Sequence, residues 1–363
     1  MKFRLFWIVL AAALVLATGR RGAAQEEFPY QIFDRYMKPL VQQIGMPGLA
    51  AVILQGGRIA WKGEYGYADV DRKIPITIDT PMPVGGVTQA VTGVLVGVCI
   101  DRYRFEIDQD IRNIVPAFPV AETRIRQVLA HATGGRFQYS PSLYSTLTSV
   151  VESRGCANQT YRQATAVEVL DRLAMTRSVP GMDLGRPEGA AAREQFETTS
   201  WNRYQSVLGE LALPYRIDAR GRNSRSEHSS YGLDASTGLV STASDLAKFE
   251  GELDKRNGVP LSFSTLDQMW SNARFTFSGP VNSFTLTTPT GLGWFVTTES
   301  GQRLVWTFGH LVDASSALIV KMPSKRLTLI MLANSGGLAQ GYDLENANVT
   351  SSPFVKVFLR LFI

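Results

Sequence analysis

A pair of glycines, Gly85 and Gly86, restricts the fold of this chain more than any other feature of its sequence. Residues 79–84 before the pair have an extended pattern, and residues 87–103 after it form a long apolar stretch with helical spacing. Glycine permits a tight turn, and the first N–H groups of a helix have no partner within that helix. The pair therefore predicts a turn into a buried helix, with free N–H groups and the positive end of the helix dipole beside it.

Apolar strand patterns occur near both ends of the chain, and the part between them is largely helical. Residues 49–54 are continuously apolar, Gly56-Gly57 predicts a hairpin turn, and residues 58–67 form the returning strand. Residues 317–320 and 327–333 predict two adjacent strands near the C-terminus. Strand patterns at both ends of the chain that flank a helical middle are typical of a mixed α/β fold, which has both helices and a sheet.

The N-terminus has the composition of an export signal. A basic head at residues 1–4 precedes an apolar run, residues 5–18, of about 14 residues, which is short for a bilayer span. Small residues at 22–24 provide a cleavage site. We therefore predict a signal peptide over residues 1–24 and a secreted or periplasmic protein. Arg20 and Arg21 leave an uncleaved anchor as the alternative, and no later stretch predicts a membrane span.

The charge of the chain is concentrated in that N-terminal segment. The sequence has 37 Lys and Arg against 32 Asp and Glu, and Lys2, Arg4, Arg20 and Arg21 supply four of the positive charges. Once residues 1–24 are removed, the remaining protein is nearly neutral. Nucleic acid is therefore not predicted as a partner.

The two cysteines and three histidines predict no metal site and no cofactor. Cys99 and Cys156 can form a disulfide in an exported protein, whereas the alternative for Cys99 is a small buried core residue on the helix after the glycine pair. His131, His228 and His310 lie far apart in the sequence and have no cluster of Cys or carboxylates around them. Both alternatives for the cysteines remain open at this stage.

Two runs in the chain carry a resemblance to a known family. Residues 123–135 read TRIRQVLAHATGG, and residues 237–249 read TGLVSTASDLAKF. Both are similar to signature segments of the serine β-lactamase and penicillin-binding-protein-like hydrolases, in particular the class C-related members. The resemblance extends with gaps from Met46 to Phe362. His131 lies near the C-terminal end of the first predicted helix, and we predict a structural role for it.

The resemblance implies a specific architecture. It predicts an antiparallel sheet, built from residues 25–85 and 237–363, that is covered on one face by the terminal helices. A mostly helical domain, residues 86–236, is inserted between the two parts. The ligand pocket is expected at the junction of the sheet and the helical domain.

The family's nucleophile motif has been replaced in this chain. In the family a Ser begins the helix after the turn, and a Lys three residues later activates it. This chain has Gly86 at the Ser position and Gln89 at the Lys position. Glycine has no side chain that can be acylated, and an amide does not exchange a proton near neutral pH.

The other two motifs of the family are partly retained. The Tyr-x-Asn loop matches Tyr139 and Pro141, so the tyrosine is kept and the asparagine is replaced. The His-Thr-Gly strand matches His310, Leu311 and Val312, and we expect Val312 to crowd this strand. By resemblance, Gly86, Gln89, Tyr139, His310, Leu311 and Val312 line the pocket.

The resemblance therefore implies a secreted, catalytically inactive relative of these hydrolases that binds a peptidoglycan-like or other acyl ligand in the remaining pocket. Two alternatives stay open. One is an active esterase, amidase or β-lactamase-type hydrolase with an unrecognised nucleophile, although no Ser in the chain has a Lys three residues later. The other is a protein-interaction module that uses its outer surface. The sequence does not determine the oligomeric state.

Overall fold

The structure is a computed structural model that describes residues 28–228, 232–278 and 283–363. The predicted signal peptide, residues 1–24, lies outside the described residues. Among the described residues, no helix combines the length and the apolar composition that a membrane crossing requires.

The strands come from both ends of the chain, as the sequence predicts. They are β1 (Gly48–Gln55), β2 (Arg58–Asp69), β3 (Ile74–Pro75), β4 (Met82–Pro83), β5 (Tyr215–Ile217), β6 (Asn223–Arg225), β7 (Val240–Ser241), β8 (Arg274–Ser278), β9 (Ser283–Thr287), β10 (Phe295–Glu299), β11 (Gln302–Leu311), β12 (Ser315–Met322) and β13 (Leu327–Ala333).

The helices fill the middle of the chain and both of its ends. They are α1 (28–44), α2 (Thr88–Tyr103), α3 (Ile125–Leu129), α4 (Pro141–Tyr144), α5 (Leu147–Glu152), α6 (Tyr161–Thr165), α7 (Thr198–Leu208), α8 (Ala243–Lys255), α9 (Phe263–Met269) and α10 (Pro353–Phe362). A 3-10 turn at Gly85–Val87 precedes α2.

The main sheet of the described residues has seven strands in the order β10-β11-β12-β13-β1-β2-β3, and its neighbours pair antiparallel. The central strand β1 pairs with β2, which follows it in the sequence, and with β13, which lies near the C-terminus. This is the antiparallel sheet that the sequence predicts.

The alternation of side chains along β1 places one apolar set on each face of the sheet. The residues at 49, 51 and 53 belong to a core with α1 and α10, and those at 50, 52 and 54 belong to a core with α2 and α8. The terminal helices therefore cover one face, and the helix that starts at the glycine turn covers the other. Residues 88–99 of α2 are buried.

The structure selects the disulfide over a free buried cysteine. Cys99 on α2 is bonded to Cys156 in the segment after α5, with 4.9 Å between their Cα atoms. Both residues are buried. The bond therefore ties the helix that begins at the glycine turn to the helical middle of the chain.

Three charged side chains are buried together between the sheet and α8, and we call them the charged cluster: Lys321, Glu250 and Asp254. Lys321 Nζ lies 2.7 Å from Glu250 Oε2 and 2.7 Å from Asp254 Oδ1. It also lies 4.3 Å from the centre of the Trp270 ring. The side chain of Lys321 is fully buried, and one ammonium faces two carboxyl groups. Burial raises the pKa of Glu250, while Lys321 opposes this shift.

Candidate active site

The glycine turn and strand β11 lie against each other, and this contact positions the candidate active site. A side chain at Gly309 on β11 would place its Cβ 1.9 Å from the carbonyl oxygen of Val84. Gly85 has a φ of 51°, a left-handed conformation that favours glycine. The two glycines therefore allow the backbone of β11 to approach the start of α2 closely.

The position of the family's nucleophile is occupied by other atoms. A Cβ at Gly86 would lie 2.6 Å from the carbonyl oxygen of Phe308 and 2.8 Å from the hydroxyl of Tyr139. Carbon–oxygen contacts this short are repulsive. A serine at residue 86 therefore requires a shift of the β11 backbone as well as of the tyrosine.

Gln89 is the centre of a hydrogen-bonded chain that we call the neutral network: Gln89, His131, Tyr139 and Ser140. The backbone N–H of Ser140 donates to Nδ1 of His131 (3.2 Å), which assigns the ring proton to Nε2. His131 Nε2 then donates to Oε1 of Gln89 (3.1 Å). The amide of Gln89 donates to the Tyr139 hydroxyl (3.0 Å). None of these groups needs a charge to satisfy its bonds.

Burial keeps the two titratable members of this network neutral. It lowers the pKa of His131 to about 3. It also raises the pKa of Tyr139, and the charge of Glu345 adds to this, whereas the bond from Gln89 opposes it. Near neutral pH both side chains are therefore in their uncharged forms.

The ring of Tyr139 is held by aromatic neighbours. Its centre lies 5.3 Å from that of Phe308, 5.8 Å from that of Phe295 and 4.8 Å from that of His131. Aromatic contacts at these distances stabilise a packed ring. The tyrosine hydroxyl is thus fixed beside Gly86.

Pro141, at the position of the family's asparagine, begins a short helix. It is the first residue of α4, and Ser140 caps that helix by accepting a hydrogen bond from the N–H of Leu143 (3.3 Å). Proline is well suited to a first helical position because its fixed φ is helical and no N–H is needed there. The substitution therefore stabilises the loop that carries Tyr139.

The three residues of the strand motif lie at the end of β11 and just beyond it. His310 pairs with Ser316 and Leu311 with Ser315. Burial lowers the pKa of His310, while Glu345 and Asp313 oppose this shift. Val312 follows the strand with 70% of its surface exposed, so the crowding expected from it is wrong. The crowding occurs at Gly86 and comes from Phe308 and Tyr139.

A small cavity of about 220 Å³ adjoins the candidate site on the side of Phe308 and His310. The segment after β13, residues 339–346, forms its other wall. Sequence analysis did not identify this segment, because it contains no motif. It also missed the Phe308 carbonyl, because a backbone oxygen leaves no signal in the sequence.

The structure thus brings together four of the predicted site residues: Gly86, Gln89, Tyr139 and His310. Gln89 is hydrogen-bonded to Tyr139, whose hydroxyl lies beside Gly86, and the backbone nitrogen of His310 lies beside Gly85. These four positions hold no Ser, Cys or Lys side chain. Val312 faces solvent. The arrangement offers a neutral, packed centre beside a small polar cavity.

Comparison with known proteins agrees with the fold. The model of the family described as Beta-lactamase matches residues 33–352. Protein flp of Staphylococcus aureus (strain MRSA252) is 23% identical over 345 residues, which cover 84% of this chain and 62% of that protein. Beta-lactamase of Escherichia coli (strain K12) is 34% identical over 112 residues, 31% of this chain. The chain thus spans less than two thirds of the length of either relative.

A solved structure has the same fold. The octameric penicillin-binding protein homologue from Pyrococcus abyssi superposes with a TM-score of 0.69 at 18% identity. The superposition covers 88% of this chain and 76% of that one. At this identity the similarity concerns the fold alone.

Proposed function

Because this chain belongs to the beta-lactamase family, we propose that it is an exported, catalytically inactive relative of serine hydrolases that binds a small ligand beside its former reaction centre. The observation that carries the proposal is the crowding at Gly86. The carbonyl of Phe308 and the hydroxyl of Tyr139 occupy the space where a nucleophilic side chain would begin. A covalent acyl intermediate needs an oxygen or sulfur at that point.

The neighbouring groups do not replace the missing chemistry. Gln89 is an amide, with Oε1 bound to His131 and its nitrogen bound to Tyr139. His131 is buried and neutral, and Tyr139 keeps its proton because burial raises its pKa. Acyl transfer needs a nucleophile and a base that accepts its proton near neutral pH. In the described part of the chain, Tyr139 has no such base beside it, and His131 binds a proton too weakly to act as one.

Binding is the property that such a site can retain. The cavity beside His310 provides polar groups and a volume of about 220 Å³, next to the start of α2. A peptidoglycan-like fragment or another acyl compound is the ligand class suggested by the family. This part of the proposal depends on fold-level analogy, so it is tested separately from catalytic inactivity.

The test of inactivity is intact mass spectrometry after incubation with a fluorophosphonate probe and, separately, with benzylpenicillin. We expect no adduct on the wild-type protein. We also expect none on the Gly86→Ser/Gln89→Lys variant, because residue 86 remains crowded by a backbone oxygen. An active serine β-lactamase serves as the labelling control.

A stoichiometric adduct on the wild type would overturn the proposal and would identify the nucleophile of an active hydrolase. An adduct on the variant alone would leave inactivity intact but show that β11 moves to admit a side chain. The same spectra test export, since cleavage of residues 1–24 predicts a mature protein that begins at Gln25.

A further inference from the structure

The cavity beside His310 is lined by polar side chains that the protein itself does not use. The side chains of His310, Gln340, Tyr342 and Glu345 contact this cavity. Within the described ranges, none of the four has a side-chain hydrogen bond or an ion pair with another residue. Convergent polar groups of this kind, facing one concave space, are typical of a ligand site.

The other acidic residue of the cavity is already engaged. Asp343 accepts a hydrogen bond from Asn346 (2.6 Å), and its backbone N–H donates to the hydroxyl of Ser351 (3.0 Å). Asp343 and Asn346 therefore form part of the wall and are not free for a ligand. Glu345 is left as the carboxylate that can take a new partner.

The cavity is negative. Its lining contains Asp343 and Glu345 and no Lys or Arg. His310 does not offset this charge near neutral pH, because burial lowers its pKa. The negative charge of Glu345 also reaches the two retained motif side chains, because it acts to raise the pKa of His310 and of Tyr139. A ligand carboxylate would be repelled here, and a ligand ammonium would be attracted.

The uncharged groups favour hydroxyls on the same ligand. The amide of Gln340 and the phenol of Tyr342 each donate and accept hydrogen bonds, and so does a neutral imidazole. A volume of about 220 Å³ limits the ligand to a small compound such as one sugar ring.

We propose that this cavity binds a compact amino sugar, with its ammonium group against Glu345 and its hydroxyls on Gln340, Tyr342 and His310. The inference names the ligand class of the binding function proposed above, and it rests on that function. It also departs from the acyl ligand that the family suggests, because the selecting group in this chain is a carboxylate.

The test is a titration of the wild-type protein with glucosamine, glucose and glucuronate, in which calorimetry and ligand-observed NMR measure binding. The three compounds share a ring and differ in charge. We expect glucosamine to bind at least 10-fold more tightly than glucose, with a millimolar dissociation constant, and glucuronate not to bind.

The matched variants are Glu345→Gln and Glu122→Gln. Both remove one exposed carboxylate, but Glu122 lies at a different groove. We expect Glu345→Gln to lower glucosamine affinity to that of glucose and Glu122→Gln to leave it unchanged. Urea unfolding of each variant shows whether the fold is intact.

Equal binding of glucosamine and glucose, preferential binding of glucuronate, or unchanged affinity in Glu345→Gln would each overturn the inference. These outcomes are distinguishable from a failure of the proposed function. A covalent adduct on the wild type contradicts inactivity whether or not glucosamine binds. If the wild type forms no covalent adduct and does not bind glucosamine, only the ligand assigned here is contradicted.

Discussion

The neutral network around Gln89 and the charged cluster around Lys321 are both buried polar groups, yet they differ in charge and in position. The network lies at the start of α2, beside the place where the family has its nucleophile, and it contains only uncharged groups. The cluster lies between β12 and α8 and contains one ammonium and two carboxyl groups.

The difference shows that titratable groups do not by themselves mark a reaction centre. This chain has a buried lysine next to acids, but no substrate reaches it, because the side chain of Lys321 is fully buried. At the position where the family has its activating lysine, this chain has the amide of Gln89. A charge sealed in the core serves the fold, whereas catalysis needs charge or a nucleophile beside a cleft.

The largest expected effect comes from Lys321→Met. The substitution leaves two buried carboxyl groups without their cation, so we expect a loss of about 3–5 kcal/mol in the free energy of unfolding. Urea unfolding at pH 7 measures it. The control is Lys255→Met, which removes an exposed partner of Glu252 on the same helix and should cost less than about 1 kcal/mol. Equal losses in the two variants would contradict the contrast between sealed and exposed charge.

The neutral network predicts a loss of stability in acid. The unfolded chain protonates His131 near its ordinary pKa of 6.5, whereas the folded protein resists protonation down to about pH 3. Acidification through this window therefore favours unfolding. Asparagine tolerates the φ of 51° at residue 131. His131→Asn should remove much of this dependence of the free energy of unfolding on pH. His310→Asn, at a half-buried position, should remove less of it.

The charged cluster predicts the opposite dependence on pH: its contribution to the free energy of unfolding falls as the pH rises. The pKa of Glu250 is raised above its ordinary value of 4.5, so the folded state keeps this proton to higher pH than the unfolded state. Its contribution is present at low pH and is lost as the pH rises above that value. As the pH rises above 4.5, Glu250→Gln should flatten the decline in stability relative to Glu252→Gln, as urea unfolding would show. A slope that is steeper in Glu250→Gln would contradict the assignment.

The smallest effect is expected for the side chain of Gln89. Gln89→Leu leaves the Nε2 proton of His131 without an acceptor and removes a donor to Tyr139, so we expect a loss of about 1–3 kcal/mol. Gln268→Leu, at an exposed position, should stay within about 0.5 kcal/mol of the wild type. If Gln89→Leu matches this control, the hydrogen bonds of the network do not stabilise the fold.

The sequence predicts the frame of the molecule well, because its signals are local and periodic. The continuous apolar run at residues 49–54 and the turn at Gly56-Gly57 predict β1 and β2, and the glycine pair predicts the start of α2. The replaced motif positions at Gly86 and Gln89 are also read directly from the sequence.

The details of the site depend on contacts that no local pattern encodes. The carbonyl that crowds Gly86 belongs to Phe308, whose side chain gives no indication of it. Lys321 meets Glu250 and Asp254 across about 70 residues of sequence, although a lysine within an apolar strand could have prompted a search for acidic partners. Val312 was misplaced because the turn after β11 was not predicted.

The pairing of β1 with β13 also affects how this protein is made. A growing chain can form the hairpin of β1 and β2 early, but the other edge of β1 has no partner until residues 327–333 are synthesised near the end of the chain. An open strand edge invites pairing with other chains. A product cut short before Leu327 therefore leaves one edge of the central strand β1 unpaired, so we expect premature termination to give aggregated or degraded material rather than a smaller folded domain.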